Sequence, residues 1–369
     1  MSLAQLEAPC RLAALRVRLR AAELDALIVS DPVGVHYLTG FPRDAFGVAV
    51  VGAEWASFVT VEGFAAEAEG LARGYVPELL PRGVWGRVHS LLGARLRRGA
   101  RVGFQSEHVT HALFGRLAGG LSPLEPVLVA ADDDLASLRA VKSAAELELL
   151  RAAAAPLPEV FTWLCEQPLV GMTERHLAWL TERRLREHHG VDAMAFDTVI
   201  ACGAHGAVPH HTASRMPIGP GELLVVDVGC VIDGYRSDMT RTLATGRPDD
   251  TAVRIHELVR AAQQAAFERL APGVSAEAVH QAAAGVIAAG GYGDRFLHSL
   301  GHGIGLELHE APFSEPGAGE PLMAGQVLTV EPGVYLAGEL GVRIEDEAII
   351  TATGYELLTP WSSELVVCG

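Results

Sequence analysis

Four carboxylates stand where a carboxylate is expensive. Asp227 interrupts the apolar run Leu223-Leu-Val-Val-Asp-Val228, and Glu331 directly follows Val327-Leu-Thr-Val330. A charge in such surroundings needs a partner or a metal ion. Each run is followed by a turn signal, Asp233-Gly234 or Gly338, and each returning segment carries a second acid, Asp238 or Glu345. Asp-Gly is a strong two-residue hairpin turn. Folding there pairs Ile232 with Tyr235 and Gly229 with Asp238. Asp227 points to the same face as Gly229, so it lies diagonally from Asp238, about 7–8 Å away at the backbone. Folding the second segment about Gly338 sets Glu331 opposite Glu345, which destabilises a sheet unless a cation lies between them. Pro332 makes that strand an unusual one.

For either segment alone, a structural role stays open: salt bridges to Arg236 or Arg241 in the first, plain packing in the second. The repetition favours chemistry. The acids correspond at similar offsets, 227 to 331 (104 residues) and 238 to 345 (107 residues). That suggests a duplicated unit with a pseudo-twofold axis and four acids meeting near it. Histidines cluster in His298-Ser-Leu-Gly-His302-Gly-Ile-Gly-Leu-Glu-Leu-His309, and His210-His211 precedes the first hairpin. Glycines at 301, 303 and 305 let the backbone wrap closely around something. The pattern is neither a phosphate cradle nor H-E-x-x-H. Four acids and an imidazole suit two divalent ions such as Mn, Co or Zn.

These segments resemble the metallopeptidases of the pita-bread fold, which include aminopeptidase P, prolidase and methionine aminopeptidase. The resemblance covers about residues 140–369 and rests on Leu-Val-Val-Asp227-Val-Gly, Gly-Tyr-Arg-Ser-Asp238-Met-Thr-Arg-Thr, Gly-His302-Gly-Ile-Gly, Val-Glu331-Pro-Gly and Val-Arg343-Ile-Glu345-Asp. It implies that Asp227, Asp238 and Glu345 share two metals, with Asp238 and Glu345 bridging, while His302 and Glu331 complete one ion. It implies Glu331, His210 and His309 as catalytic groups and His210, His298, His309 and Arg343 around the substrate, Arg343 lying behind Glu345. Asp31-Pro-Val-Gly-Val-His-Tyr-Leu-Thr-Gly-Phe41 and Leu138-Arg-Ala-Val-Lys142 look like the creatinase-type N-terminal domain of the Xaa-Pro-cleaving branch. The implied activity is hydrolysis of the Xaa-Pro bond of dipeptides or short peptides by a hydroxide shared between two metals, with the dipeptidase favoured over aminopeptidase P. Other peptidase specificities, a creatinase-like hydrolase and a non-catalytic binding protein on the same fold remain as alternatives. The last two would be expected to lack ligands that this chain retains. A homodimer is also implied.

The positioning elements follow from periodicity. Residues 7–23 read as an amphipathic helix, Ala26 to Ser30 as a buried strand punctuated by Asp31-Pro32, Val48 to Val51 and Trp55 to Thr60 as a hairpin, and Arg101 to Phe104 as a strand. This alternation predicts an α/β domain. Asp132-Asp-Asp134 reads as a polar break, with the domain boundary near 135–142. That gives a creatinase-like α/β domain at 1–136 and an α+β pita-bread domain at 137–369. Ser143 and Glu146 form a capping box opening a long helix. Two helical stretches precede residue 190, a strand spans 195–202, hairpins span 222–245 and 326–350, and helices span 250–270 and 275–289. Strands are also expected near 296–298 and 306–309.

The length of 369 residues suggests two domains. A net charge of −16 argues against nucleic acid or an anionic membrane as partner. The Arg95 to Arg101 run reads as a solvated helix end. Five scattered cysteines without a CxxC pair point away from disulfides or a zinc ribbon and toward a reducing cytoplasm. No secretory signal or membrane span is read.

Overall fold

The computed structural model describes residues 3–71 and 74–368. The chain divides into two compact units, Met1–Arg139 and Ala140–Gly369. In the first, a mixed six-stranded sheet has Ala26–Val29 inside it, buried along its length. That strand runs antiparallel to Gly47–Gly52 and parallel to Arg101–Phe104. Gly47–Gly52 forms the expected hairpin with Ala56–Val61. Two readings are corrected here. Asp31 caps a helix, Pro32–Thr39, through its carboxylate, which accepts from the N–H groups of Val33 and Gly34; Pro32 enters at a helix start, where its missing N–H costs nothing. Asp132 to Asp134 open a helix, Asp132–Ala140, rather than break the chain. Acids are favoured in a first turn because the exposed N–H groups there carry partial positive charge.

The second unit repeats one motif. Helices Pro156–Cys165 and Glu174–His189 lead through strands Ala193–Met194 and Val199–Cys202 into a hairpin; helices Asp250–Arg269 and Ala276–Ala289 lead through strands Gly301–Gly303 and Glu310–Ser314 into another. The helix at Ala144–Ala154 starts on the expected Ser143/Glu146 capping box. Both hairpin registers are those read from the sequence. Ile232 pairs with Tyr235 and Thr240 with Asp227; Gly333 pairs with Arg343 and Val330 with Asp346. The first turn is an Asp-Gly turn with positive φ at both residues, 50° and 84°, the combination that matches strand twist.

Alternation sorts each hairpin into two faces. Leu224, Val226, Val228, Met239 and Leu243 pack with Leu157, Phe161, Leu177 and Leu185 of the preceding helices. Leu328, Val330, Ile344, Ala348 and Ile350 pack with Ile255, Val259, Val279 and Ile287. Each such buried aliphatic side chain contributes about 1.5–3 kcal/mol. With helices covering these faces, period two sends Asp227, Asp238, Glu331 and Glu345 to the opposite ones.

The strand expected at 195–202 is two short strands, as above. Those expected near 296–298 and 306–309 are not formed; the strands lie at Gly301–Gly303 and Glu310–Ser314. Glycine decides this. A Cβ on Gly301 would stand 1.9 Å from the Thr329 carbonyl oxygen, and one on Gly303 would stand 2.3 Å from that of Ala311. The glycines thus let strand backbones approach, a use that a hydrophobic pattern does not record.

Candidate metal centre

Asp227, Asp238, His302, Glu331 and Glu345 line one cavity of about 650 Å³, together with His210, His298, His309 and Arg343. Three of the acids occupy breaks in the hairpin ladders. Asp238 precedes Met239–Ala244, Glu331 follows Val327–Val330, and Glu345 falls between Leu340–Arg343 and Asp346–Ile350. The chain can bend at Gly229 because a Cβ there would lie 2.0 Å from the Ser237 carbonyl oxygen. Ligating atoms of Asp238, His302 and Glu345 lie within 4.8 Å of one another. His302 Nε2 is 3.9 Å from Asp238 Oδ2 and 3.4 Å from Glu331 Oε1.

The acids crowd each other. Burial, then the charges of Glu345 and Asp227, hold Asp238 well above the usual carboxylate range. Burial, then Glu331 and Asp227, does the same to Glu345. Glu331 is raised to about 7, by burial first; Arg343 opposes the shift and Asp227 adds to it. His302 is lowered to about 4, by burial and then by His309. Its ring is therefore neutral at neutral pH. With Nδ1 donating to the Gly303 carbonyl at 3.1 Å, Nε2 presents a lone pair to the acids.

The outer histidines differ. His298 has both nitrogens engaged: Nδ1 donates to the Ser299 carbonyl (2.7 Å), leaving Nε2 to accept from the Tyr335 hydroxyl (2.8 Å). His309 packs edge-on to His302, with ring centroids 4.3 Å apart, and is lowered by burial and by His210.

Comparison with known proteins agrees with this geometry. Residues 148–352 match the model of metallopeptidase family M24, and residues 11–141 match the creatinase/prolidase N-terminal domain. The chain is 32% identical to peptidase YqhT of Bacillus subtilis over 93% of its own length and 96% of that protein. It is 33% identical to the Xaa-Pro dipeptidase of Lactobacillus delbrueckii subsp. lactis over 93% of this chain and 95% of that one. The structure of the Xaa-Pro dipeptidase from Bacillus anthracis superposes with a TM-score of 0.92 at 28% identity, covering 98% of this chain and 99% of that one. The chain belongs to metallopeptidase family M24. Its architecture is the expected one, a creatinase-like N-terminal α/β domain followed by a pita-bread domain, and it stands among relatives of the Xaa-Pro branch.

A resident divalent metal is characteristic of an M24 metallopeptidase, and the residues present fit one. Asp227 Oδ1, Asp238 Oδ1, Glu345 Oε1 and Glu347 Oε2 are buried oxygens without a hydrogen-bond partner. Mutually repelling buried acids, orphaned oxygens and a neutral imidazole make a donor set that a divalent cation satisfies and that a salt-bridge network does not. The salt-bridge alternatives fall elsewhere: Arg241 pairs with Asp346, and Arg236 donates to the carbonyls of Ala195 and Leu306.

Arg343 is the organiser of this M24 centre. Its Nη2 donates to Asp227 Oδ2 at 2.7 Å, Nη1 to the Tyr335 hydroxyl (3.1 Å) and the Pro209 carbonyl (3.3 Å), and Nε to Thr240 Oγ1 (3.1 Å). Thr240 Oγ1 passes its own hydrogen to Glu345 Oε2 at 2.6 Å. Sequence reasoning missed Thr240, Tyr335 and Glu347, whose Oε1 accepts from the Asp238 N–H. The alternation Asp238, Thr240, Thr242 and Glu345, Glu347 was the signal that places them on the acids' face. Glu174 was missed too, and no local pattern marks it.

Proposed function

We propose that this chain is an Xaa-Pro dipeptidase whose two divalent ions are held by Asp227, Asp238, His302, Glu331 and Glu345. Asp238 and Glu345, each raised by the other's field, would serve both ions. The observation that carries the reading is the set of buried, mutually repelling acids with orphaned oxygens around a lone-pair-bearing imidazole. Such ions, as Mn, Co or Zn, would lower the pKa of water and polarise the scissile carbonyl.

The chain's own groups supply the rest. Glu331, poised near 7 in the metal-free chain, takes the proton of the attacking water and passes it to the leaving proline nitrogen. His210 or His309 donates to the oxyanion of the tetrahedral intermediate. Burial keeps His309 neutral and thus able to act as an N–H donor. Phe196, Leu308 and Phe313 give the cavity an apolar wall, a surface suited to a proline ring. His298 contributes its ring, with its nitrogens committed to Ser299 and Tyr335. Arg343 acts from behind, fixing Asp227 and Glu345. This chemistry lies within the C-terminal unit. The reading extends to a cytoplasmic homodimer, supported by five unpaired thiols for the compartment and by the family resemblance for the assembly.

The test is hydrolysis of Gly-Pro, Ala-Pro and Ala-Pro-Ala by protein loaded with Mn, Co or Zn. Preferred cleavage of the dipeptides is expected. Preference for Ala-Pro-Ala would make the enzyme an aminopeptidase P, and no cleavage of any of them would end the Xaa-Pro reading.

A further inference from the structure

We infer that Glu174 is a positioning residue, a buried clamp that closes the loop carrying His210 and so sets where His210 stands in the active cavity. This rests on the proposed role of His210. Glu174 is the first residue of the helix Glu174–His189, and its side chain is 0% exposed. Five donors converge on its carboxylate. Oε1 accepts from the Cys202 N–H (3.0 Å) and His205 Nδ1 (2.8 Å); Oε2 accepts from His211 Nε2 (2.9 Å), the Ser214 N–H (3.0 Å) and Ser214 Oγ (2.6 Å). Burial alone would raise its pKa, but the bonds from Ser214, Cys202, His211 and His205 outweigh burial and bring it to about 2.

The placement of these donors matters more than their number. Cys202 and His205 begin the loop; His211 and Ser214 end it. One carboxylate therefore ties both ends. His210 sits between two anchored residues, because His211 is held by Glu174 and the Pro209 carbonyl is held by Arg343, which also holds Asp227. The loop is thus fixed on one side to the metal-binding hairpins and on the other to the helix start. Backbone bonds from Glu174 N to Met216 O and from Arg175 N to Ser214 O extend the second anchorage.

Glu174, His205 and His211 also have ligand atoms close enough for a metal. The geometry favours direct bonding. Every contact is at hydrogen-bond length, and two of the donors are backbone N–H groups, which cannot ligate. Glutamine cannot replace this acid. Its amide NH₂ would face a backbone donor, Cys202 N–H on one side or Ser214 N–H on the other.

The test joins hydrogen exchange with a double-mutant cycle. In Glu174→Gln, amides of residues 203–214 should exchange faster, while the hairpins at 223–244 and 327–350 keep wild-type protection. Metal content should match the wild type. For Ala-Pro, kcat should fall about 10–100-fold with KM within about threefold. In a His210→Ala background, Glu174→Gln should cost less than about threefold more, because both changes then act through one group. Unchanged exchange in 203–214, multiplying penalties, or loss of a bound ion would each overturn the clamp, the last in favour of a metal site. If Glu174→Gln does not fold, Ser214→Ala and His211→Asn remove donors singly and must show the same localised exchange. A wild type inert on Ala-Pro refutes the proposed function, and the exchange result still decides the clamp.

Discussion

The two hairpins are built alike and charged differently. Each has a glycine turn, an outer face covered by two helices, and a ladder that breaks where acids stand. In the first, Asp227 has a cationic partner, Arg343. In the second, Glu331 and Glu345 have only hydroxyl donors, Thr329 and Thr240. The cation for the first hairpin comes from the second, and a hydroxyl for the second comes from the first. Neither hairpin completes its own acids. The duplication therefore supplies two halves of one centre, and the asymmetry leaves the second half short of positive charge. That deficit marks where cations are to be held.

Removing an acid tests this most severely. Asp238→Asn, like Glu345→Gln, should lower Ala-Pro turnover about a thousandfold or more and reduce the bound metal; kinetics and metal analysis read both. Glu331→Gln should keep most of the metal yet lose about 10²–10⁴ in kcat, as expected of a proton carrier. Full turnover would remove Glu331 from that role. Arg343→Met strikes the exchange between hairpins. It should cost about 10–100-fold in metal affinity or activity by freeing Asp227 and Thr240 together, seen by titration with Mn.

The charge deficit also predicts a pH dependence in the metal-free protein. Glu331 is raised from 4.5 to about 7 in the folded chain, and Asp238 and Glu345 shift the same way. The folded state then holds more protons than the unfolded one between about pH 4.5 and 7, so stability should fall as pH rises through that window. Thermal unfolding of chelator-treated protein should drop on the order of 5 °C across it, and Mn should abolish the drop. A flat profile without metal would show that the acids are neutralised some other way. The smallest effect belongs to the turn. Gly338 has φ +78° with open space around it, so Gly338→Ala should cost only about 1 kcal/mol, in denaturant titration, for the left-handed backbone.

The acids were legible because β-hairpins are governed by a period of two and by turn chemistry. Once Asp233-Gly234 and Gly338 were taken as turns, registers and faces followed. The strands around His302 were misplaced because their glycines serve backbone approach to Thr329 and Ala311, which no local pattern encodes. Asp31 and Asp132 to Asp134 were read as breaks because capping residues and turn residues are the same types. Glu174 was invisible for another reason. Its partners lie 28 to 40 residues away, and nothing in Thr173-Glu-Arg175 separates a buried clamp from a solvated first turn.

The most direct test of the shared centre is the metal content of chelator-stripped, Mn-reloaded protein, read beside Ala-Pro hydrolysis in the wild type and in Glu345→Gln. About two ions per wild-type chain with turnover restored, and fewer ions with turnover lost in the variant, are the predicted result. Undiminished Ala-Pro hydrolysis by the stripped wild type, or an unchanged ion count in Glu345→Gln, would contradict it.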